Sequence, residues 1–261
     1  MISRRRLMIG SAVLMTIPPR DADATGRSAN AQWDDLLARY VRPDPQGLHR
    51  VNYAAWKANV ADRQALDQLI GGLSGQKISS LSRPAQFATW ANLYNAITIQ
   101  VVLSRFPVRS IRDIKPNVLA IGPWKEPRVT VEGKRLSLDD IEHGILRKQW
   151  SDPRVHYAVN CASVGCPNLP RRGWRAETLD ADLDAAARAF INSPRGVRVV
   201  GPQKLRVSSI YQWFKTDFGN NEAGILSHLR RYAASKLLAD MTNARIVGDD
   251  YDWSINATTG S

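Results

Sequence analysis

Residues 85–104 read AQFATWANLYNAITIQVVLS, and this stretch decides the fold. Its apolar side chains recur at helical spacing, with Phe87, Ala91, Tyr94, Thr98 and Val102 on the core face. Ser82-Arg83-Pro84 supplies a start and Pro107 a stop. Asn92 and Asn95 stand inside the apolar run. A buried amide without a partner costs about 1–3 kcal/mol, so each either pins a neighbouring loop or lines a pocket.

Working outward, Trp33 to Tyr40 predicts a short helix, broken by Pro43 and Pro45. Asn52 to Leu73 has the spacing of one continuous helix, ended by Gly71, Gly72 and Gly75. Downstream, residues 108–135 are loop-rich, and a hairpin is expected from Arg128 to Leu136, turning at Glu132-Gly133. Ser137 reads as the N-cap of a helix over Leu138–Gln149. Arg154 to Asn160 is expected as a strand and Leu179 to Ile191 as an amphipathic helix. Val197–Val200 and Lys204–Val207 read as short strands, Ser208–Phe214 as a helix start, and Asn221–Met241 as one helix. Residues 244–256 finish as a strand or extended tail. Helices dominate the first half and strands gather from about residue 128. That segregation predicts a single α+β domain, a helix-rich N-terminal half packed on a mainly antiparallel sheet.

The ends and the composition bound the setting. Ser3-Arg4-Arg5-Arg6-Leu7-Met8 places paired arginines before a short apolar run, and Ala22-Asp23-Ala24 is a small-residue cleavage site. Together they predict a twin-arginine (Tat) signal peptide over residues 1–24 and export to the periplasm or beyond. Residues 25–50 read as an N-terminal extension and 257–261 as a tail. Apolar content of 44% and charged content of 23% are those of a folded domain. The net charge of +12 invites a nucleic-acid reading, but no recognition motif accompanies it. Small anionic ligands, or peripheral contact with an anionic membrane or cell wall, are the expected partners. No glycine-rich phosphate loop follows a strand, and no cofactor is expected. Asp217-Phe218-Gly219 resembles a kinase tripeptide whose companion motifs are missing, and is read as coincidence.

The chemistry gathers in two segments. LSLDDIEHGILR (136–147) puts Glu142 on the apolar face of its helix, where a carboxylate needs a partner. VHYAVNCASVGCP (155–167) holds His156 and both cysteines, Cys161 and Cys166. On a strand, His156, Ala158 and Asn160 would share a face. A thiol needs a nearby imidazole to become a thiolate at neutral pH, and the imidazole needs an acceptor to orient it. Cys161 or Cys166, His156 and Glu142 are therefore the candidate catalytic set. Placement favours Cys166, if Pro167 begins a helix with that thiol near its positive end, and Cys161 instead if His143 or a bulge brings an imidazole across. Asn92, Tyr94, Asn95 and Asn160, with Arg171, Arg172 and Trp174 of a basic loop, are the candidate binding set. The spacing of His143, His156, Cys161 and Cys166 matches no standard zinc site, so no metal is expected. Outside the cytoplasm the two cysteines could instead form a disulfide.

WANLYNAITI (90–99), LSLDDIEHGILR, VHYAVNCASVGCPNL (155–169), VSSIYQWFKTDFG (207–219) and YDWSIN (251–256) together resemble the domain-of-unknown-function 547 family (DUF547) over about residues 51–256. The resemblance implies a fold similar to papain-like or transglutaminase-like proteins, which suits a Cys–His site. The order departs from those enzymes, whose cysteine opens the central helix and precedes the histidine. Two functions fit these residues. One is an exported thiol-dependent hydrolase or transferase acting on an amide bond of a small peptide, glutathione-like or from the cell wall. The other is a binding module stiffened by a Cys161–Cys166 disulfide.

Overall fold

The structure is a computed structural model that describes residues 29–258; the expected signal peptide lies outside the described residues. Helix α1 (Ala29–Tyr40) buries Trp33, Leu36, Leu37 and Tyr40, one stripe at helical spacing. Strands β1 (Val41–Pro43) and β2 (His49–Val51) form an antiparallel ribbon, its turn tied by the Asp44 carboxylate to the amides of Gln46 and Leu48. Residues 29–51 thus contribute Trp33, Leu36, Leu37, Tyr40, Val41 and Val51 to the core. Helices α2 (Tyr53–Ala58) and α3 (Val60–Ser74) replace the single helix expected over 52–73. Asn59 separates them in an extended conformation. Its N–H caps the end of α2, and its side chain accepts from the Asp62 amide to start α3. A short amide that can satisfy helix ends competes with helix continuation, and here it wins.

Helix α4 (Arg83–Arg105) runs through the centre, buried continuously from Phe87 to Ile99. A helix buried all round is a core helix rather than an amphipathic one. Strands β3 (Val129–Val131) and β4 (Lys134–Leu136) make the expected hairpin. Glu132 and Gly133 both adopt positive φ, 47° and 80°, as a type I′ turn requires. Ser137 then caps as predicted, exchanging hydrogen bonds with Asp140. The chain continues as a π-helical segment, Asp140–Leu146, and only then as α5 (Arg147–Trp150). The wider π turn alters which side chains share a face, so the face assigned to Glu142 from α-helical spacing does not carry over.

The expected strand over 154–160 is instead a short helix, α6 (Val155–Ala158). Asp152 and Pro153 cause this. Pro153 has the φ of a first helical residue. The Asp152 carboxylate accepts from the Arg154 amide, and the amides of Val155, His156 and Tyr157 each bond to the carbonyl three residues back. His156 and Asn160 therefore do not share a strand face. Helix α7 (Leu179–Ile191) forms as expected. Strands β5 (Val197–Gly201) and β6 (Lys204–Ser208) pair antiparallel, α8 (Ile210–Trp213) turns back, and β7 (Arg245–Asp250) joins β6 in parallel. Between them lie α9 (Glu222–Tyr232) and α10 (Ser235–Asp240). The single helix expected over 221–241 breaks at Ala233-Ala234, where the Asn192 side chain bonds both the Tyr232 carbonyl and the Ala234 amide.

The described chain is α+β. Its pairing is mainly antiparallel but divided among three small sheets, two of two strands and one of three. One apolar cluster surrounds α4; a second lies between α7, α9 and the three-stranded sheet. Helix α6 joins them, with Val155 and Ala158 in the first and Tyr157 in the second.

Candidate functional site

The loop leaving α6 is tied down by asparagines. Asn95 on α4 donates to the Ala158 carbonyl at 2.9 Å and accepts from the Asn160 amide at 2.8 Å. Asn160 closes the next turn, donating to the Pro167 carbonyl at 2.7 Å and accepting from the Ala162 amide at 2.9 Å. The loop then pairs with the C-terminal segment, Val164 N–H to the Ser254 carbonyl and Gly165 N–H to that of Asp252, each at 2.8 Å. A Cβ on Gly165 would lie 2.8 Å from the Asp252 nitrogen and 3.0 Å from the Tyr251 ring, so only glycine permits this approach.

The consequence is a fixed pair of thiols. The two sulfurs stand 2.8 Å apart, both cysteines free. The Tyr251 hydroxyl lies 3.0 Å from Cys161 Sγ, and the Cys161 N–H donates to Cys166 Sγ at 3.0 Å. The hydrogen bond from Cys166 holds the Cys161 thiol below its ordinary pKa; burial opposes this, and Tyr251 and Ser163 assist. Burial pushes the Cys166 thiol up, and the adjacent Cys161 adds to the effect. Cys161 is partly exposed and Cys166 buried. Of the two thiols, Cys161 is therefore the one that ionises more readily. Pro167 begins no helix, so Cys166 does not gain the positive helix end expected for it.

These sulfurs face a cavity of about 840 Å³, whose walls include Trp124, Trp213, Phe214, Trp253, Glu142 and His156. His156 is held firmly. Its Nε2 lies 2.8 Å from the Asp217 carboxylate, and its ring stacks on Phe214 with centroids 4.3 Å apart. Asp217 also accepts two bonds from Arg147, at 2.6 and 3.0 Å. Burial alone would raise the Asp217 pKa, but His156 and Arg147 outweigh it and hold the carboxyl well below the usual range.

Among the described residues, the carboxylate bonded to His156 is Asp217 and not Glu142. Glu142 faces Tyr94, whose hydroxyl pKa is pushed up by burial and further by this carboxylate. The Glu142 carboxylate also lies 3.9 Å from His143. No hydrogen bond joins His156 to either thiol among the described residues; all three side chains line the same cavity. Tyr94 and Glu142 line that cavity. Asn92, Asn95, Asn160, Arg171, Arg172 and Trp174 do not. Asn92 is used up in bonding the Trp174 backbone and the Trp33 indole. Trp174 is buried, its indole donating to the Ala158 carbonyl. Arg171 and Arg172 are exposed, and Arg172 pairs with Asp182. No three potential metal ligands converge among the described residues. Sequence reasoning missed Asp217, Tyr251 and the indoles of Trp213 and Trp253. All four fall within VSSIYQWFKTDFG or YDWSIN, and the usable signal was an acid among aromatics in the first of these.

The sequence model of a family described as "Protein of unknown function, DUF547" matches residues 78–191. That segment is a DUF547 domain. It carries Tyr94, Glu142, His156, Cys161 and Cys166, whereas Asp217 and Tyr251, which complete the site, lie beyond the matched residues. No curated protein and no solved structure matches the chain.

Proposed function

We propose that the protein is a thiol-dependent hydrolase or transferase that cleaves an amide bond of a small peptide bound in the cavity. The observation that carries this reading is the setting of Cys161 Sγ, 2.8 Å from one thiol and 3.0 Å from a tyrosine hydroxyl at the wall of a cavity that also holds a His–Asp pair. In this reading the Cys161 thiolate attacks the amide carbonyl. A carbon–sulfur bond forms and the carbon–nitrogen bond breaks. His156, oriented by Asp217, delivers the proton to the departing amine. Water or a second amine then releases the acyl group and restores the thiol. A cavity of about 840 Å³ suits a ligand of short-peptide size, since such sites span roughly 300–1,000 Å³. Glu142 and Asp139 on its wall suit a substrate ammonium, and Lys125 a carboxylate. Glutathione-like γ-glutamyl peptides and cell-wall stem peptides carry both groups. The twin-arginine leader expected from the sequence supports action outside the cytoplasm.

The short sulfur–sulfur distance favours a second reading, in which an oxidant removes two electrons and two protons from Cys161 and Cys166 and the resulting disulfide stiffens a binding module. Incubating the reduced protein with γ-glutamyl and dipeptidyl p-nitroanilides separates the two. The enzyme reading expects released p-nitroaniline and an acyl adduct on Cys161, both absent in Cys161→Ala and slowed in His156→Ala. Absence of turnover and adduct across the panel, with ligand bound by the fully oxidised protein, would hand the site to the binding module.

A further inference from the structure

The rim of the cavity carries an exposed aliphatic tip that neither function uses. Val118 is 92% exposed, Leu119 91% and Ile121 69%. Isolated exposed aliphatics are ordinary, but a contiguous group beside a binding cavity marks an interaction site. Here the tip is held in place. The Asn117 side chain accepts from the amides of Leu119 and Ala120, presenting Val118 and Leu119 outward. Behind the tip, Gly122 lets Trp124 pack directly against the backbone, where a Cβ would lie 2.1 Å from the indole. Trp124 in turn meets Trp253 edge to face at 5.8 Å.

The charge around the tip is basic in excess: one carboxylate, Asp113, shares it with two cations and accepts from the Ser110 amide. Arg112 and Lys115 share a shallow depression with Val118, Leu119 and Ile121. On the other side Leu119 and Ile121 also line the main cavity. Arg112 is further fixed over the Trp253 ring at 5.1 Å. Aliphatic side chains flanked by cations match the layering of an anionic bilayer, with acyl chains beneath phosphates. A second copy fits less well. Two-fold pairing through this tip would bring Arg112 and Lys115 of both copies together. Three side chains also cover far less than the roughly 800 Å² per partner of a stable protein interface.

We propose that segment 115–122 docks the protein on an anionic lipid surface, with Val118, Leu119 and Ile121 entering the interface and Arg112 and Lys115 meeting the lipid phosphates. The mouth of the cavity then faces the membrane. The proposal is independent of the thiol chemistry above.

The test is flotation with vesicles of phosphatidylcholine containing roughly one-third phosphatidylglycerol, and with phosphatidylcholine alone. The protein should float with the anionic vesicles and hardly with the neutral ones. Partitioning should fall at least about ten-fold in Val118→Asn/Leu119→Asn and about five-fold in Lys115→Gln. In the unaltered protein, amide exchange of residues 116–122 should slow when anionic vesicles are added, which reads the contact without any variant. Absence of binding overturns the proposal. So does binding that the double variant retains in full, which would assign it to the net charge elsewhere. Concentration-dependent dimerisation that the double variant abolishes, without vesicle binding, would give the tip to a second copy and likewise overturn it.

Discussion

His156 Nε2 meets the Asp217 carboxylate at 2.8 Å across 61 positions of sequence, and Arg147 closes the other side of the same carboxylate. Helix α6, the π-helical segment with α5, and the turn after α8 are thereby joined at one point on the cavity wall. A carboxylate with three charge-assisted contacts is an orienting group and also part of the fold, and its two roles separate by pH and by variant.

Asp217 has a folded-state pKa below its unfolded value, so its contribution to stability is complete above the ordinary carboxylate pKa of about 4 and is lost as pH falls through that value toward the folded one. Asp217→Asn should cost about 1–2 kcal/mol near neutral pH, the lower part of the range for bonds to charged groups because solvent reaches this carboxylate. Urea midpoints of parent and variant should differ by a constant amount above pH 5 or so and converge below pH 4. A gap that persists at low pH would show that the charge contributes nothing.

His228 works in a different window. Burial drives its pKa down to about 4, and its Nε2 lies 2.8 Å from the Tyr157 hydroxyl. The unfolded chain binds this proton from about pH 6.5 downward while the folded chain does not, so stability should fall as pH drops from 6.5 toward 4, by on the order of 3 kcal/mol in all. His228→Gln should flatten that slope in the same urea titration. An unchanged slope would place the acid sensitivity elsewhere.

Asn95 tests the scaffold behind the thiols. Leucine at this position would leave the Asn160 amide buried without its partner, at about 1–3 kcal/mol, and would take one of two donors from the Ala158 carbonyl, which keeps the Trp174 indole. Asn95→Leu should therefore lower the denaturation midpoint strongly, by more than a surface substitution can explain. A variant as stable as the parent would mean that water satisfies the Asn160 amide.

How far the sequence reveals this architecture depends on how local each cause is. Helix α4 is legible because its long apolar run lies between Ser82-Arg83-Pro84 and Pro107, α7 because its own side chains carry the periodicity, and the β3–β4 hairpin because Glu132-Gly133 supplies the required turn. Helix α6 is hidden because Val155, Tyr157 and Val159 alternate like a strand, while the Asp152-Pro153 turn that overrides them lies upstream. The breaks at Asn59 and Ala233-Ala234 depend on side chains satisfying helix ends, in the second case from Asn192, 42 positions away. The site obeys the same rule. Cys161, Cys166 and His156 sit in one short segment and stand out together. Asp217 and Tyr251 reach them only through tertiary packing, and no local pattern pairs Asp217 with an imidazole or Tyr251 with a thiol. Conversely, Asn92 and Asn95 stand out as polar groups in an apolar helix, and their bonds run to the loops on either side of the site.

The assignment of the thiolate to Cys161 gives the sharpest test. The hydrogen bond from Cys166 is the largest influence lowering the Cys161 pKa, with Tyr251 and Ser163 adding to it against burial. Alkylation by iodoacetamide, followed by peptide mapping after reduction, should label Cys161 first, with an apparent pKa below the ordinary thiol value of about 8.5. Cys166→Ala removes the main donor and should move that pKa upward; Tyr251→Phe should move it in the same direction by less. Gly165→Ala should act like Tyr251→Phe without touching either group, because its Cβ displaces the Tyr251-Asp252 backbone on which the hydroxyl depends. His156→Ala should leave the pKa nearly unchanged in the free protein, since no hydrogen bond links that ring to either sulfur among the described residues, and should instead slow any acyl-transfer step that requires a proton on the leaving amine. Preferential labelling of Cys166, or a Cys161 pKa that responds to His156 but not to Cys166, would reverse the assignment and return the imidazole to the role of thiol base.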